Sequence, residues 1–180
     1  MRGVVDRAGL GRAFVSGSLV GCLLGAHGTG AGASDFGHVP RPMPTRATLE
    51  DRTPDLKRAR EGARARLGDP QCLAVLTDFE SVNGGRLDLV LRSTGRTAQE
   101  QLDLLVFESG LGRPGCGRGQ LAFTRVGSPV VSICLRSFTL LRPRKQEAVL
   151  IHEMLHSLGL GENPPESVAI TDRVLERCAH

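Results

Sequence analysis

The sequence predicts an α+β fold in which a small mixed sheet packs against one central helix. Three observations lead to this prediction. The predicted elements follow the order α-β-β-α-β-β-α-α, and residues 130–135 form the most strand-like segment of the chain. The helix that begins at Pro143 is apolar on most of its circumference, which is typical of a buried helix.

Local patterns place the other elements. Thr97 and Glu100 form a capping box that opens a helix. Asn83-Gly84-Gly85 is a turn signal that predicts a hairpin between two strands. In chain order, we predict a helix at 53–67, strands at 72–80 and 87–92, a helix at 97–108, strands at 120–126 and 130–135, a helix at 143–158 and a helix at 164–178.

The N-terminal part is predicted to be an export signal. Residues 1–33 combine a basic start, an apolar run that is too short to span a bilayer and the small-residue cleavage signal Ala31-Gly32-Ala33. A flexible Pro-rich linker is expected at 34–52, followed by one domain at 53–180 and no transmembrane segment. The protein is therefore expected to be secreted or periplasmic. Lipid anchoring through Cys22 is the alternative, since Leu19-Val20-Gly21-Cys22 resembles a bacterial lipobox.

The charge pattern argues against nucleic-acid binding. The chain carries a net charge of +4, and residues 1–33 hold three of its 23 basic and one of its 19 acidic residues, which leaves +2 on the rest. The basic residues are scattered, and the chain has no Trp or Tyr on which bases could stack.

Four cysteines follow the predicted signal, an even number that is typical of two disulfides in a small exported domain. Cys116 and Cys134 flank a predicted hairpin, which favours that pair and leaves Cys72 with Cys178.

A short motif on the central helix carries the predicted chemistry. His152-Glu153-Met154-Leu155-His156 has the form H-E-x-x-H, which places two imidazoles on one helix face, one turn apart. Both can therefore bind one zinc ion, with Glu153 beside a zinc-bound water as general base. Buried polar groups need partners, and Zn²⁺ would supply them in this apolar helix.

The residues that follow the motif resemble the zinc signature of metzincin metallopeptidases, above all the matrixin type. In that family the pattern H-E-x-x-H-x-x-G-x-x-H turns the chain back at a glycine and delivers a third ligand. Gly159 matches the glycine, and Glu162 stands where the family has a histidine. The family's Met-turn is absent, because no Met follows Glu162, so the resemblance implies a minimal relative in which the 164–178 helix forms the floor of the site.

Two other third ligands remain open. Glu176 lies 20 residues after His156, the spacing of thermolysin-like peptidases, and Asp172 falls near the site if the last two helices form a hairpin. The same hairpin places Ser167 and Thr171 near the ligands, as candidates for hydrogen bonds to them. His180 reaches the site only if the C-terminus folds back.

The resemblance implies a zinc endopeptidase that acts on a peptide or protein substrate, and the predicted signal implies that it is exported. The alternative is a non-catalytic secreted zinc-binding protein that acts through partner binding. Residues 130–135 are interpreted as a core strand, with an edge strand that pairs with an extended peptide as the alternative.

Overall fold

The computed structural model describes residues 48–117 and 119–179, which form an α+β unit with eight α-helices and three strands. The helices are α1 (Leu49–Arg52), α2 (Pro54–Arg66), α3 (Pro70–Leu73), α4 (Leu87–Ser93), α5 (Ala98–Asp103), α6 (Leu135–Phe138), α7 (Pro143–Ser157) and α8 (Ser167–Arg177). The strands are β1 (Val106–Ser109), β2 (Ala122–Thr124) and β3 (Val130–Ile133), and short 3₁₀-helices occupy Ala74–Thr77 and Pro114–Cys116.

The three strands form a mixed sheet in the order β1-β3-β2. β1 runs parallel to β3 with Val106 opposite Val130, and β2 runs antiparallel to β3 with Phe123 opposite Ser132. β3 is therefore the central strand, which confirms its interpretation as a core strand and leaves β2 at an edge of the sheet.

The core lies between α7, α2 and the sheet. α7 begins with Pro143 at its first turn, and its side chains Leu150, Ile151, Met154 and Leu155 are fully buried. A helix that is apolar nearly all round is stable only when other elements cover it, and α2, α8 and β2 do so here. The central buried helix predicted from the sequence is thus confirmed.

Two strands were wrongly predicted. Residues 72–80 contain α3 and a 3₁₀-helix, and residues 87–92 lie in α4. Leu87 and Leu91 are buried while Leu89 is half exposed, so the apolar residues follow the helical i, i+4 spacing and the apparent alternation is not that of a strand. The predicted turn does form, but only one bridge, between Glu80 and Arg86, closes it.

Several boundaries also differ from the prediction, and the strand predicted at 130–135 ends at Ile133 because Leu135 begins the short helix α6. The predicted helix at 97–108 ends at Asp103, and β1 follows it. Residues 49–52, placed in the linker, form α1, because Thr48 and Asp51 make a capping box. The last helix begins at Ser167, because Asn163 adopts a positive φ of 61° outside the helical region and its N–H donates to the carbonyl of Pro165.

Both favoured disulfides are present. Cys72–Cys178 joins α3 to the end of α8, and Cys116–Cys134 joins the loop before β2 to the residue after β3. In the part of the chain that the structure describes, no helix has the length and apolarity needed to cross a membrane. The predicted signal, Cys22, most of the predicted linker and His180 lie outside the described residues.

Candidate metal centre and its cleft

The helix α7 brings two histidines to one point. His152 and His156 are one turn apart and each is only 4% exposed. Their Nε2 atoms lie 2.8 Å from each other, so both nitrogens point at the same small volume. This is the arrangement that the H-E-x-x-H spacing predicts.

A glycine turn brings the third group. Gly159 has a φ of 104°, a conformation that L side chains rarely adopt, and its N–H donates to the carbonyl of His156 at 3.0 Å. The chain therefore reverses directly after α7, and Glu162 returns to the histidines. Glu162 Oε1 lies 3.3 Å from Nε2 of His152 and 3.2 Å from Nε2 of His156.

The Nδ1 atoms of both rings have hydrogen-bond partners, and these determine whether the Nε2 atoms carry a proton. His156 Nδ1 donates to the carbonyl of Leu160 at 2.8 Å, so that nitrogen carries the proton. Thr171 donates its hydroxyl proton to the carbonyl of Ser167 at 3.2 Å and therefore accepts from His152 Nδ1 at 2.9 Å. With protons on both Nδ1 atoms, neutral rings present unprotonated Nε2 atoms to each other and to Glu162.

These three atoms fit a metal ion. Two nitrogen lone pairs and a carboxylate oxygen converge with no proton between them, which is unfavourable unless a cation or an added proton lies at the centre. Bonds of about 2.0–2.2 Å in a tetrahedral zinc site separate ligand atoms by about 3.3 Å. The observed separations of 2.8, 3.2 and 3.3 Å are close to that value, so this group can hold a metal ion.

Electrostatics keeps Glu162 ionised. In the metal-free protein the added proton can lie on Nε2 of His152, and the hydrogen bond from that ring, helped by Ser167 and by the charge of His156, lowers the pKa of Glu162 to about 2 although partial burial opposes this. The carboxylate is thus in the form that binds metal across the neutral pH range. Ser167 and Thr171 both contact the metal-binding residues, as predicted from the helical hairpin.

Glu153 lies beside this centre with one oxygen unpaired. It is 4% exposed, and among the described residues its Oε2 makes no hydrogen bond. Burial raises the pKa of Glu153, and the charges of the two histidines and the Thr124 hydroxyl act in the opposite direction. An unpaired buried carboxylate oxygen is costly in a structural role, but it is what a proton acceptor needs.

Two cavities flank Glu153. One, of about 280 Å³, extends past His152 to Lys145 and Asp172. The other, of about 300 Å³, extends past His156 and Glu162 to Arg125. Both are lined by the edge strand β2, so together they form one cleft along β2 with Glu153 at its middle. We call the two parts the Lys145 side and the Arg125 side.

The rival third ligands lie elsewhere. Asp172 lines the Lys145 side of the cleft but does not belong to the group of converging ligand atoms. Glu176 is exposed and pairs with Arg173 at 2.7 Å, on the same helix. Of the three candidates, only Glu162 meets the two histidines in the described structure.

Sequence reasoning missed the part of the site that β2 provides. Thr124 faces Glu153, and Ala122 and Gln120 line both sides of the cleft. The strand itself was predicted at 120–126, but its place beside α7 depends on contacts between distant segments, which no local pattern reports.

Comparison with known proteins adds no relative: no protein-family model, curated protein or solved structure matches this chain.

Proposed function

We propose that this protein is an exported, zinc-dependent endopeptidase in which His152, His156 and Glu162 hold Zn²⁺ and Glu153 is the general base. One observation carries the proposal: three acceptor atoms converge on one point while the unpaired carboxylate of Glu153 lies beside them in a cleft. We propose with it that the chain is related to the metzincins, with Glu162 in place of the family's third histidine and no Met-turn.

The donor set favours zinc. Two imidazoles and one carboxylate form a known catalytic zinc set, whereas magnesium and calcium prefer sites built from oxygen atoms. When bound in such a site, zinc polarises a carbonyl group and lowers the pKa of its water to about 7.

The protein's own residues then move the protons. In the proposed reaction Glu153 accepts a proton from the attacking water and later gives it to the leaving amine, so that one water is consumed and one peptide bond is broken. Burial raises the pKa of Glu153, which strengthens its hold on the proton that it must accept and later return.

The edge strand supports a peptide substrate. Cys134 donates its N–H to the carbonyl of Leu121 at 3.0 Å, so in the antiparallel ladder the backbone of Phe123 faces β3 and that of Ala122 and Thr124 faces outward. Ala122 and Thr124 both line the cleft beside Glu153, and the Ala122 carbonyl accepts a long hydrogen bond of 3.4 Å from Gln120 Nε2, which a bound peptide would replace. An extended peptide can add there as a further strand, in the same cleft as Glu153, His156 and Glu162.

Two further features support the export and the floor of the site. Two disulfides are typical of proteins from oxidising compartments. The helix α8 packs against α7 and supplies Thr171 to His152, so it supports the site where metzincins have their Met-turn.

The test compares three purified proteins from a host that exports the chain: the wild type, Glu153→Ala and, as a matched control, Glu176→Ala. We expect one zinc per chain in all three by elemental analysis. We expect cleavage of a denatured protein by the wild type and Glu176→Ala only.

Stoichiometric zinc without cleavage by the wild type would instead favour the non-catalytic zinc-binding protein. Absence of zinc would refute both functions.

A further inference from the structure

Arg125 is a cation without a partner at one end of the cleft. Its side chain makes no hydrogen bond or ion pair with any residue that the structure describes, whereas Arg60, Arg113 and Arg177 each pair with a carboxylate. The carboxylate of Glu162 lines the same side of the cleft but is engaged by the two histidines. The guanidinium is therefore free to bind an incoming anion.

The position of Arg125 is fixed relative to the metal-binding atoms. Arg125 directly follows β2, and the turn it opens is closed by the N–H of Ser128, which donates to the Arg125 carbonyl at 2.8 Å. The next N–H in that turn, from Gly127, donates to the carbonyl of His156 at 2.8 Å. The turn that Arg125 opens is thus bound, through Gly127, to the C-terminal end of the helix that carries the two histidines.

The two sides of the cleft differ in charge. On the Lys145 side, Lys145 and Asp172 offset each other. On the Arg125 side, Arg125 is the charged lining residue that remains once the proposed metal ligands and Glu153 are set apart. A Zn²⁺ ion held by Glu162 would offset the carboxylates on this side whether Glu153 is ionised or protonated, so the positive charge of Arg125 remains.

We propose that Arg125 is a specificity-determining residue that selects peptides with an acidic side chain on one side of the cleaved bond. This inference rests on the proposed function and names its substrate class. The planar guanidinium binds a carboxylate through two parallel hydrogen bonds, and closure of the cleft by the peptide removes water from the pair. In the described structure Arg125 makes no hydrogen bond or ion pair with the metal-binding residues or Glu153, so it acts on substrate choice and leaves the chemical step to them.

The experiment uses internally quenched peptides built around a bond that the wild type cleaves in a denatured protein. At each of the three positions on either side of that bond, peptides carry Glu, Gln or Lys. At one position the wild type is expected to prefer Glu over Lys by about tenfold or more in kcat/KM, mainly through KM. The position reports the direction of the peptide: a preference N-terminal to the bond indicates a strand antiparallel to β2.

Two variants isolate the role of the side chain. Arg125→Gln should abolish the preference while it still cleaves the Gln peptide, and Arg125→Glu should reverse it in favour of Lys. Arg144→Gln is the matched control: it removes an exposed arginine at the start of α7, outside the cleft, and therefore changes the net charge alone. It should keep the preference of the wild type.

The outcomes separate the two proposals. Equal rates for Glu, Gln and Lys at every position, or an unchanged preference in Arg125→Glu, would overturn the role of Arg125 while peptide cleavage itself stands. If the wild type cleaves none of the peptides and no denatured protein, the peptidase proposal fails and this inference fails with it.

Discussion

Replacing Glu162 by alanine is expected to remove most of the zinc-dependent thermal stability. A ligand that binds only the folded state stabilises it by about 2.7 kcal/mol when its free concentration is 100 times Kd. The described part of the chain has about 130 residues. With an unfolding entropy of about 2.1 cal/mol/K per residue, 1 kcal/mol corresponds to about 4 °C, so zinc should raise the Tm of the wild type by about 10 °C.

Glu162→Ala removes one of three ligand atoms. Loss of a residue that merely supports a ligand weakens metal binding about 10–100-fold, so loss of the ligand itself should reach at least the upper end of that range. At the same free zinc concentration the variant would then be half saturated or less. Its stabilisation falls to about 0.4 kcal/mol, which corresponds to a shift in Tm below about 2 °C.

The assay is differential scanning calorimetry of protein with intact disulfides, in buffered zinc and in chelator. Glu176→Ala and Asp172→Ala are the controls, since these were the rival ligands, and both should keep the full shift. A full shift in Glu162→Ala, or its loss in Asp172→Ala, would refute the assignment of the third ligand.

The pH dependence of zinc binding tests whether Glu162 stays ionised in acid. The pKa of Glu162 is about 2, so this carboxylate stays ionised as the pH falls from 7 to 4. Protonation of Glu162 therefore does not weaken zinc binding over that range, and the zinc-dependent shift in Tm should show no loss with an apparent pKa in the ordinary range of a glutamate, as followed by calorimetry from pH 7 to 4. In metal-free protein, the contribution of Glu162 to stability is present above its unfolded pKa and is lost only as the pH falls towards 2.

Three further predictions concern the scaffold. Gly159→Ala should lower stability by about 1–3 kcal/mol in denaturant titrations and weaken zinc binding, because the positive φ is strained for alanine; unchanged values would refute the role of this turn. Asp78→Asn should cost about 1 kcal/mol at pH 7, because Arg177 lowers the pKa of Asp78 through a hydrogen bond. That difference from the wild type should vanish as the pH falls below about 4; a constant difference would count against it. The double variant Cys116→Ala/Cys134→Ala should keep its zinc but lose most of its peptide cleavage, since the bond holds the loop before β2; equal loss of both would argue against a separate role for the cleft.

The site was predicted best where its residues lie close together in the sequence. The spacing of His152 and His156, the glycine at 159 and the carboxylate at 162 all act within one helix and one turn, and the structure joins them as expected. The central helix was predictable for a similar reason, because its apolar circumference has meaning only for a buried helix.

Prediction failed where one local pattern fits two structures. The alternating leucines at 87–92 are typical of a strand, yet Leu is also a strong helix former. In α4 only Leu87 and Leu91 are buried, and these two residues have the i, i+4 spacing of one helix face. The prediction included most of β1 in the preceding helix, because its four residues, Val106–Ser109, form a strand only by pairing with β3.

The proposed metal site and the cleft are therefore two separable features of this fold. The three ligand atoms come from residues 152–162, a stretch short enough to be organised by α7 and its glycine turn. The cleft needs β2 on one side and α8 on the other. β2 lies well before α7 in the sequence, and α8 is separated from α7 by residues 158–166. One disulfide begins just before β2 and the other ends just after α8, so each covalent bond holds a wall of the cleft and neither holds a ligand. A domain with so small a sheet gains from such bonds, because a three-stranded sheet alone gives its edge strand few contacts to fix its distance from Glu153.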